Sequence, residues 1–397
     1  MMKKTISKVG ILCVYAFPEG MAAATRILSY GKGLVDNGVR TEIYSFHMQP
    51  NDGPYPLEGE INGIYYLIPH TWDVNKSKYR KWLVDRYLVR IKALIRLLQS
   101  HKIQKFDYVL CSFDKLTWLF FYVPLLRLFG IKVIFIGDEY PGAIRNLKPK
   151  VPLNQIWGYK MIYKFISGRI LMTNALKDYY NKNVSVKPTH ILCSILNIDR
   201  FKNLTRKHVE RPYLCYMGNL RLKKDNVDNI IRAFELVKDE FPELELNLYG
   251  NPLKEDALFL KRIVEQTNLQ GRVNFKGRVN FDQVPQILAN ATILVTSQPI
   301  TKRAEGGFPT KMGEYMMSHT PMIVTDVGEI SQYIDNKING MIVPPCKPEE
   351  YAGAIRFLIN NPKESKEIAE KAYQYAVQSF NAKDVVKGMI DFLNNLN

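Results

Sequence analysis

The sequence predicts an α/β protein made of two doubly wound domains with parallel sheets. Three observations carry that prediction. Strand-like runs rich in β-branched and aromatic residues alternate with helix-period segments along the whole chain. One long polar stretch, NIDRFKNLTRKHVERP (197–212), interrupts the alternation, which then restarts. At 397 residues the chain is also long for a single core, so two domains are the default.

In the first half, strands are expected at 9–15, 41–46, 64–68, 107–111, 132–136, 169–173 and 189–193. Helical patterns at 22–36, 79–100, 115–129, 152–166 and 174–181 separate most of them. Two segments invite other readings. The opening MMKKTISKVGILCVYAFPEGMAAA has the basic start and small residues of a signal peptide, but its apolar run is short and meets Pro18-Glu19-Gly20, which fits a first strand and its loop. LTWLFFYVPLLRLFGIKVIFIG (116–137) is long enough for a membrane span. Arg127 and Lys132 interrupt it and Gly130 divides it, so it reads as a buried helix, a turn and a central strand.

After the linker, strands near 213–217, 244–249, 272–275, 292–296, 321–325 and 341–343 alternate with helices near 226–240, 254–267, 282–289, 310–318 and 348–360. Residues 363–396 read as one or two further helices. The expected domains are therefore 1–200 and 201–382. Two such domains would face a central cleft, with ligands at the carboxyl ends of the strands.

Composition narrows the class. With 46% hydrophobic and 23% charged residues, the chain is an ordinary globular protein. Its five cysteines are far apart and form no CxxC, which fits reduced, mostly buried thiols and no zinc site. The net charge of +17 is unevenly spread: residues 1–200 hold 29 Lys/Arg against 14 Asp/Glu, the remainder 26 against 24. The basic half implies an anionic partner, nucleic acid or membrane surface. No D-x-D triplet and no G-x-G-x-x-G after a strand occurs, which disfavours a metal-dependent sugar transferase fold and a nicotinamide dehydrogenase.

The most informative stretch is EGGFPTKMGEYMMSHTP (305–321). Gly306 and Gly307 let the backbone approach a ligand. Thr310 is placed to cap the helix that follows, whose N-terminus suits phosphate. Glu314, one turn inside, cannot bind phosphate but can accept two hydroxyl hydrogen bonds, as a ribose diol requires; alternatively it is a half-exposed surface residue. A second feature, YLCYMGNLRLKKDNVDNIIRAF (213–234), is a strand, Gly218, a basic loop and a helix. Arg221, Lys223 and Lys224 sit at the carboxyl end of that strand, where a diphosphate would meet cations unless they are merely solvated.

At these residues the second half resembles the donor-binding domain of glycosyltransferase family 4, a retaining family of GT-B fold (glycosyl transferases group 1). YMGNLRLKKD, LNLYGNP, VNFKGRVNFDQV and EGGFPTKMGEYMMSHTPMIVTDVGEISQYI with its trailing NGMIVPP match in order over most of 213–345. The first half matches more loosely through VYAFPEGMAAATRILSYGKGLVDNGVRTEIYSF and HILCSILNIDRF. The resemblance implies a ribose-binding Glu314, and Lys224 on the diphosphate with Gly218 and Arg221 in its loop. Gly306, Gly307, Phe308, Pro309 and Thr310 would lie along the sugar and distal phosphate, Arg278 near the base, and Gly20 toward the phosphates. A helix at 383–397 would cross back to the first domain.

The sequence departs from the family at three points. The usual glutamate pair is spaced by eight, and eight before Glu314 stands Gly306, with Glu305 one further. Asn219 stands where an arginine usually accompanies the lysine. FIGDEYP (135–141) replaces the usual His-containing segment, leaving Asp138 or Glu139 near the sugar. Asp138, Glu139 and Glu305 are thus the candidate catalytic residues, with no metal and no cofactor beyond the nucleoside-diphosphate sugar as substrate.

The acceptor is expected on the basic domain. KSKYRKWLVDRYLVRIKALIRLLQSHKIQK (76–105) holds ten Lys/Arg and one acid, Asp85. Trp82, Arg86, Arg90, Lys92 and Arg96 belong to an amphipathic basic helix suited to an anionic membrane, unless its apolar stripe packs on the sheet. Nucleic acid is disfavoured because no stacking platform or known motif is present. The resulting expectation is a transferase on the cytoplasmic face of a membrane, moving a sugar to a lipid-linked or cell-surface saccharide in polysaccharide or lipopolysaccharide synthesis. A sugar-nucleotide epimerase and a catalytically inactive partner subunit are the alternatives.

Overall fold

A computed structural model describes residues 5–18, 20, 22–47, 49–50, 54–72, 87–141 and 152–396. The chain divides into two units: Met1–Asn197 together with Ala382–Asn397, and Ile198–Asn381.

The first unit is built on β1 (Lys8–Cys13), β2 (Arg40–Ser45), β3 (Gln49–Pro50), β4 (Glu58–Ile61), β5 (Ile64–Leu67), β6 (Thr71–Trp72), β7 (Tyr108–Ser112), β8 (Lys132–Gly137), β9 (Gly168–Leu171) and β10 (Thr189–Ile191). Its main sheet runs β10-β9-β8-β7-β1-β2-β5-β4, while β3 and β6 pair separately. Every pairing in the main sheet is parallel except β4 with β5. All residues of β1 and of β7 are buried, as strands covered on both faces require. The sequence reading passes over β4. Its signal was local: Asn62 and Gly63, with φ of 52° and 75°, form the Asn-Gly hairpin turn.

The ambiguous run at 116–137 is the helix Leu116–Leu128, a turn at Gly130 with φ of 77°, and β8. Among the described residues, no helix is long and apolar enough to cross a membrane. Helix Ala382–Asn395 buries Val386, Met389 and Leu393 in this unit, beside helix Ala22–Asp36. Gly33 permits that approach, because a Cβ there would lie 2.5 Å from the Ala382 carbonyl oxygen.

The second unit has β11 (Tyr213–Met217), β12 (Glu245–Tyr249), β13 (Val273–Gly277), β14 (Ile293–Val295), β15 (Met322–Thr325) and β16 (Met341–Val343), all parallel, in the order β13-β12-β11-β14-β15-β16. Helices Val227–Glu235 and Pro348–Asn360 pack together over its core, and Lys311–Met317 packs against Pro362–Phe380. The strand order reverses beside β11, which creates a topological switch point at the carboxyl end of that strand.

Candidate functional site

The carboxyl edge of the second unit's sheet is stitched backbone to backbone. The Gly218 amide donates to the Tyr249 carbonyl at 3.0 Å, and the Gly250 amide to the Gly277 carbonyl at 2.8 Å. Gly250 has φ of 140°, and a Cβ there would fall 1.7 Å from the Gly218 oxygen. Only glycine fits that contact. The loops leaving β11, β12 and β13 therefore start from fixed points.

From Gly218 the chain passes through Leu220, in the left-handed region at φ 55°, to a short helix, Leu222–Asp225. Arg221 and Lys223 are exposed and Lys224 is half-buried. Below this loop lies a charge that sequence reasoning missed. Lys311 Nζ donates to the Tyr216 hydroxyl at 3.0 Å, sits 4.1 Å from that ring's centroid and lies 3.4 Å from Asp225 Oδ1. A Cβ on Gly218 would come 2.6 Å from this ammonium, so Gly218 is also the roof of the lysine's chamber. Burial pulls the Lys311 pKa below the usual lysine value, with Asp225 acting against it. For Asp225, burial pushes upward, but Lys311, Lys224, the Tyr216 hydroxyl and the Arg221 amide together hold its carboxyl below the usual range.

Glu314 projects from the same helix, Lys311–Met317, which the Tyr315 hydroxyl joins to β11 by accepting from the Met217 amide at 2.9 Å. Its side chain is 21% exposed and meets Arg200 Nη1 at 2.6 Å. Arg200 also donates to the Phe281 carbonyl at 3.0 Å and lies 3.4 Å from the centroid of the Phe281 ring. Arg200 is the second residue the sequence reading missed; it stands in the NIDRF segment, read there only as part of a linker and a loose resemblance.

The Gly-rich turn differs in detail from expectation. Thr310 does not cap its helix by its side chain. Its own φ and ψ of −55° and −30° are already helical, whereas a capping residue needs extended dihedrals. The side-chain cap nearby is Thr301, which accepts from the Ala304 amide at the start of helix Lys302–Gly306. Glu305 lies in that helix, 45% exposed, and pairs with Lys302 at 2.6 Å. Gly306 and Pro309 are buried and Gly307 is half-buried. The Phe308 ring is buried against Tyr333 and Phe380, so what this residue leaves for a ligand is its backbone. Arg278 is exposed just after Gly277.

In the first unit, Gly20 is exposed, and a Cβ there would meet the Ala24 Cβ at 2.7 Å. Asp138, one residue past β8, forms an ion pair with Arg26 Nε at 3.1 Å. Burial raises the Asp138 pKa above the usual aspartate value, opposed by Arg26. Glu139 beside it is half-buried. Arg90 stacks over Trp118 at 4.8 Å, Lys92 is exposed and Arg96 pairs with Glu58. Trp82 and Arg86 lie outside the described residues. Helix Val89–Ile103 buries Val89, Ala93, Leu94 and Leu97 and exposes Ile91 and Ile95. The apolar residues of this helix thus divide between core and surface.

Residues 197–375 match the model of the family described as "Glycosyl transferases group 1". An uncharacterized glycosyltransferase of Methanocaldococcus jannaschii is 25% identical over 236 residues, 57% of this chain and 58% of that protein. The match thus spans less than two thirds of that relative. Among solved structures, sucrose-phosphate synthase from Thermosynechococcus elongatus superposes with a TM-score of 0.76 at 15% identity, over 98% of this chain and 99% of that one. Anabaena HepE in complex with UDP-glucose gives 0.70 at 14% identity, over 98% and 99%. At such identities these likenesses establish the fold.

Proposed function

Because the chain carries a glycosyl transferases group 1 domain in a GT-B fold, we propose that it transfers a sugar from a nucleoside-diphosphate sugar to an acceptor hydroxyl, with retention at the anomeric carbon and without a metal. The observation that carries this reading is the pairing, within one unit, of a half-exposed Glu314 with a cationic glycine loop rooted at the switch point. Glu314 takes the ribose diol. Lys224 and Arg221 meet the diphosphate, and Lys311, paired with Asp225, supports the loop from beneath. As the anomeric C–O bond breaks, its electron pair stays with the diphosphate, and these cations stabilise the added charge. The complex of the Anabaena protein with UDP-glucose supports a nucleotide-sugar donor.

The acceptor in this reading is a lipid-linked or cell-surface saccharide, met at the inner face of a membrane by the basic first unit. Of the three candidate carboxylates, Asp138 is engaged by Arg26 and Glu305 by Lys302, while Glu139 stands half-buried beside Asp138.

A thermal-shift panel of UDP, GDP, ADP and CMP with their sugar conjugates tests the donor assignment. A nucleotide at ~100 times its dissociation constant should add about 2.7 kcal/mol to the stability of the unit that binds it. Silence across the panel overturns the reading, and turnover abolished by a chelator overturns its metal-free part.

A further inference from the structure

Three helices of the first unit lie side by side. The Tyr122 hydroxyl of Leu116–Leu128 donates to the Arg90 carbonyl of Val89–Ile103 at 3.0 Å. On the other flank, Gly158 of Leu153–Ile162 is so close to Leu116 that a Cβ would lie 3.0 Å from its side chain, and the Tyr159 hydroxyl reaches the Asp114 carbonyl at 2.8 Å.

Helix Leu153–Ile162 is apolar on both faces. Gly158, Tyr159 and Ile162 point inward. Leu153, Trp157 and Met161 are 85%, 65% and 36% exposed, and Phe165, one further turn along, is 51% exposed. A spacing of four aligns the first three on one stripe, and Phe165 lies just beyond the helix in the 3₁₀ turn Tyr163–Phe165. Phe120, beside Gly158, and Ile91 and Ile95 on the outer helix are exposed too. Single exposed apolar residues need no explanation, but an aligned row of Leu153, Trp157 and Met161 with an exposed phenylalanine at its end does.

The helices that carry the row hold charge of one sign, with Glu58, paired to Arg96, and Asp114 as acids at their borders. Residues 87–105, 115–132 and 152–167 contain no Asp or Glu. Lys92, Lys115, Arg127, Lys160 and Lys164 are exposed there. A second copy of the chain would bring the same cations to a two-fold interface, where like charges oppose it. A nucleic acid would meet the cations but gain no stacking from Leu153 or Met161. An anionic bilayer satisfies both: the apolar row enters the headgroup boundary while the lysines reach lipid phosphates.

We propose that this face docks on an anionic lipid bilayer, with Leu153, Trp157, Met161 and Phe165 as the inserted side chains. The proposal rests on the membrane-surface part of the reading above and not on its donor site. It moves insertion away from the 76–105 segment that sequence alone favoured.

The test uses the full chain, sedimented with vesicles of phosphatidylcholine alone or mixed with phosphatidylglycerol, at low and high salt. The comparison protein carries Leu153→Ser, Trp157→Ser and Met161→Ser, all at exposed positions, with circular dichroism confirming its fold. Partition onto the phosphatidylglycerol vesicles should fall by about tenfold or more in this variant, and salt should remove what remains. Equal partition of variant and wild type overturns the proposal. So does a wild-type chain that ignores the vesicles, or one that forms a dimer the variant dissolves. Vesicle binding with a silent nucleotide panel would sink the donor reading and leave this face standing; the converse would sink this face alone.

Discussion

Each unit holds an arginine against a carboxylate, and the two arginines are anchored to different degrees. Arg26 is 3% exposed: it contacts Asp138, donates to the Cys193 carbonyl at 3.1 Å and the Tyr30 hydroxyl at 2.9 Å, and also reaches the Leu192 carbonyl. Arg200 holds Glu314 near the surface, with one carbonyl contact and an aromatic ring beneath it. The first guanidinium is a strut between helix Ala22–Asp36, the end of β8 and the segment after β10. The second joins only the NIDRF segment, Glu314 and Phe281. The carboxylates are equally exposed, at 20% and 21%, so what separates the pairs is the arginine: 3% exposed with three further oxygen partners in one, 13% exposed with one carbonyl in the other.

The comparison breaks most readily at Arg26. Arg26→Met should destabilise the first unit by ~3–5 kcal/mol, because Asp138 and two carbonyls lose their buried partner. Denaturant unfolding reads this directly, and a loss under about 1 kcal/mol would make Arg26 no strut.

Next in size are two substitutions of opposite sign at the other pair. Glu314→Gln should weaken nucleotide binding by about 10–100-fold with little change in stability, since one or two charge-assisted hydroxyl bonds are lost. Arg200→Gln should tighten binding a few-fold, roughly the worth of a partly exposed ion pair that the ribose no longer has to open. Titration calorimetry decides: weaker binding in Arg200→Gln would make this arginine a ligand contact rather than a competitor.

The smallest effect concerns pH. Asp225 has its folded pKa held below the usual aspartate value, so its contribution is complete above that value and is lost as pH falls through the lower folded one. Asp225→Asn should therefore lower stability at neutral pH and narrow the gap to wild type under acid, followed as melting temperature against pH. A gap that stays constant into acid would mean that the carboxyl carries no such linkage.

These pairs also mark what was legible in the sequence. The parallel sheets follow from the alternation of apolar runs, because strands buried on both faces must be almost wholly apolar, as β1 and β7 are. The Gly-rich turn and the position of Glu314 in a helix were equally readable, being local chemistry. Arg200 was not, since its carboxylate lies 114 positions away and nothing nearby signals the contact. Lys311 resembled any solvated lysine; its burial comes from Tyr216 and Asp225, which the fold brings to it from β11 and the loop beyond. Thr310 shows the converse error: a favourable residue type at a cap position, with dihedrals that prevent the cap.

The first unit is also interrupted in the chain, and that has a consequence in time. Helix Ala382–Asn395 shares a core with Ile11 and Ile27, packs on helix Ala22–Asp36, accepts from Tyr108 through the Leu393 carbonyl and ties Ile6 through Asn394. A ribosome makes the whole second unit before it makes this helix. At roughly 5–20 residues per second, the delay is on the order of ten seconds or more. Throughout that interval the second unit can finish while the earlier half waits with an uncovered apolar groove. Nascent-chain protection, and vulnerability to proteases or aggregation, should therefore reverse the order in which the two halves are written.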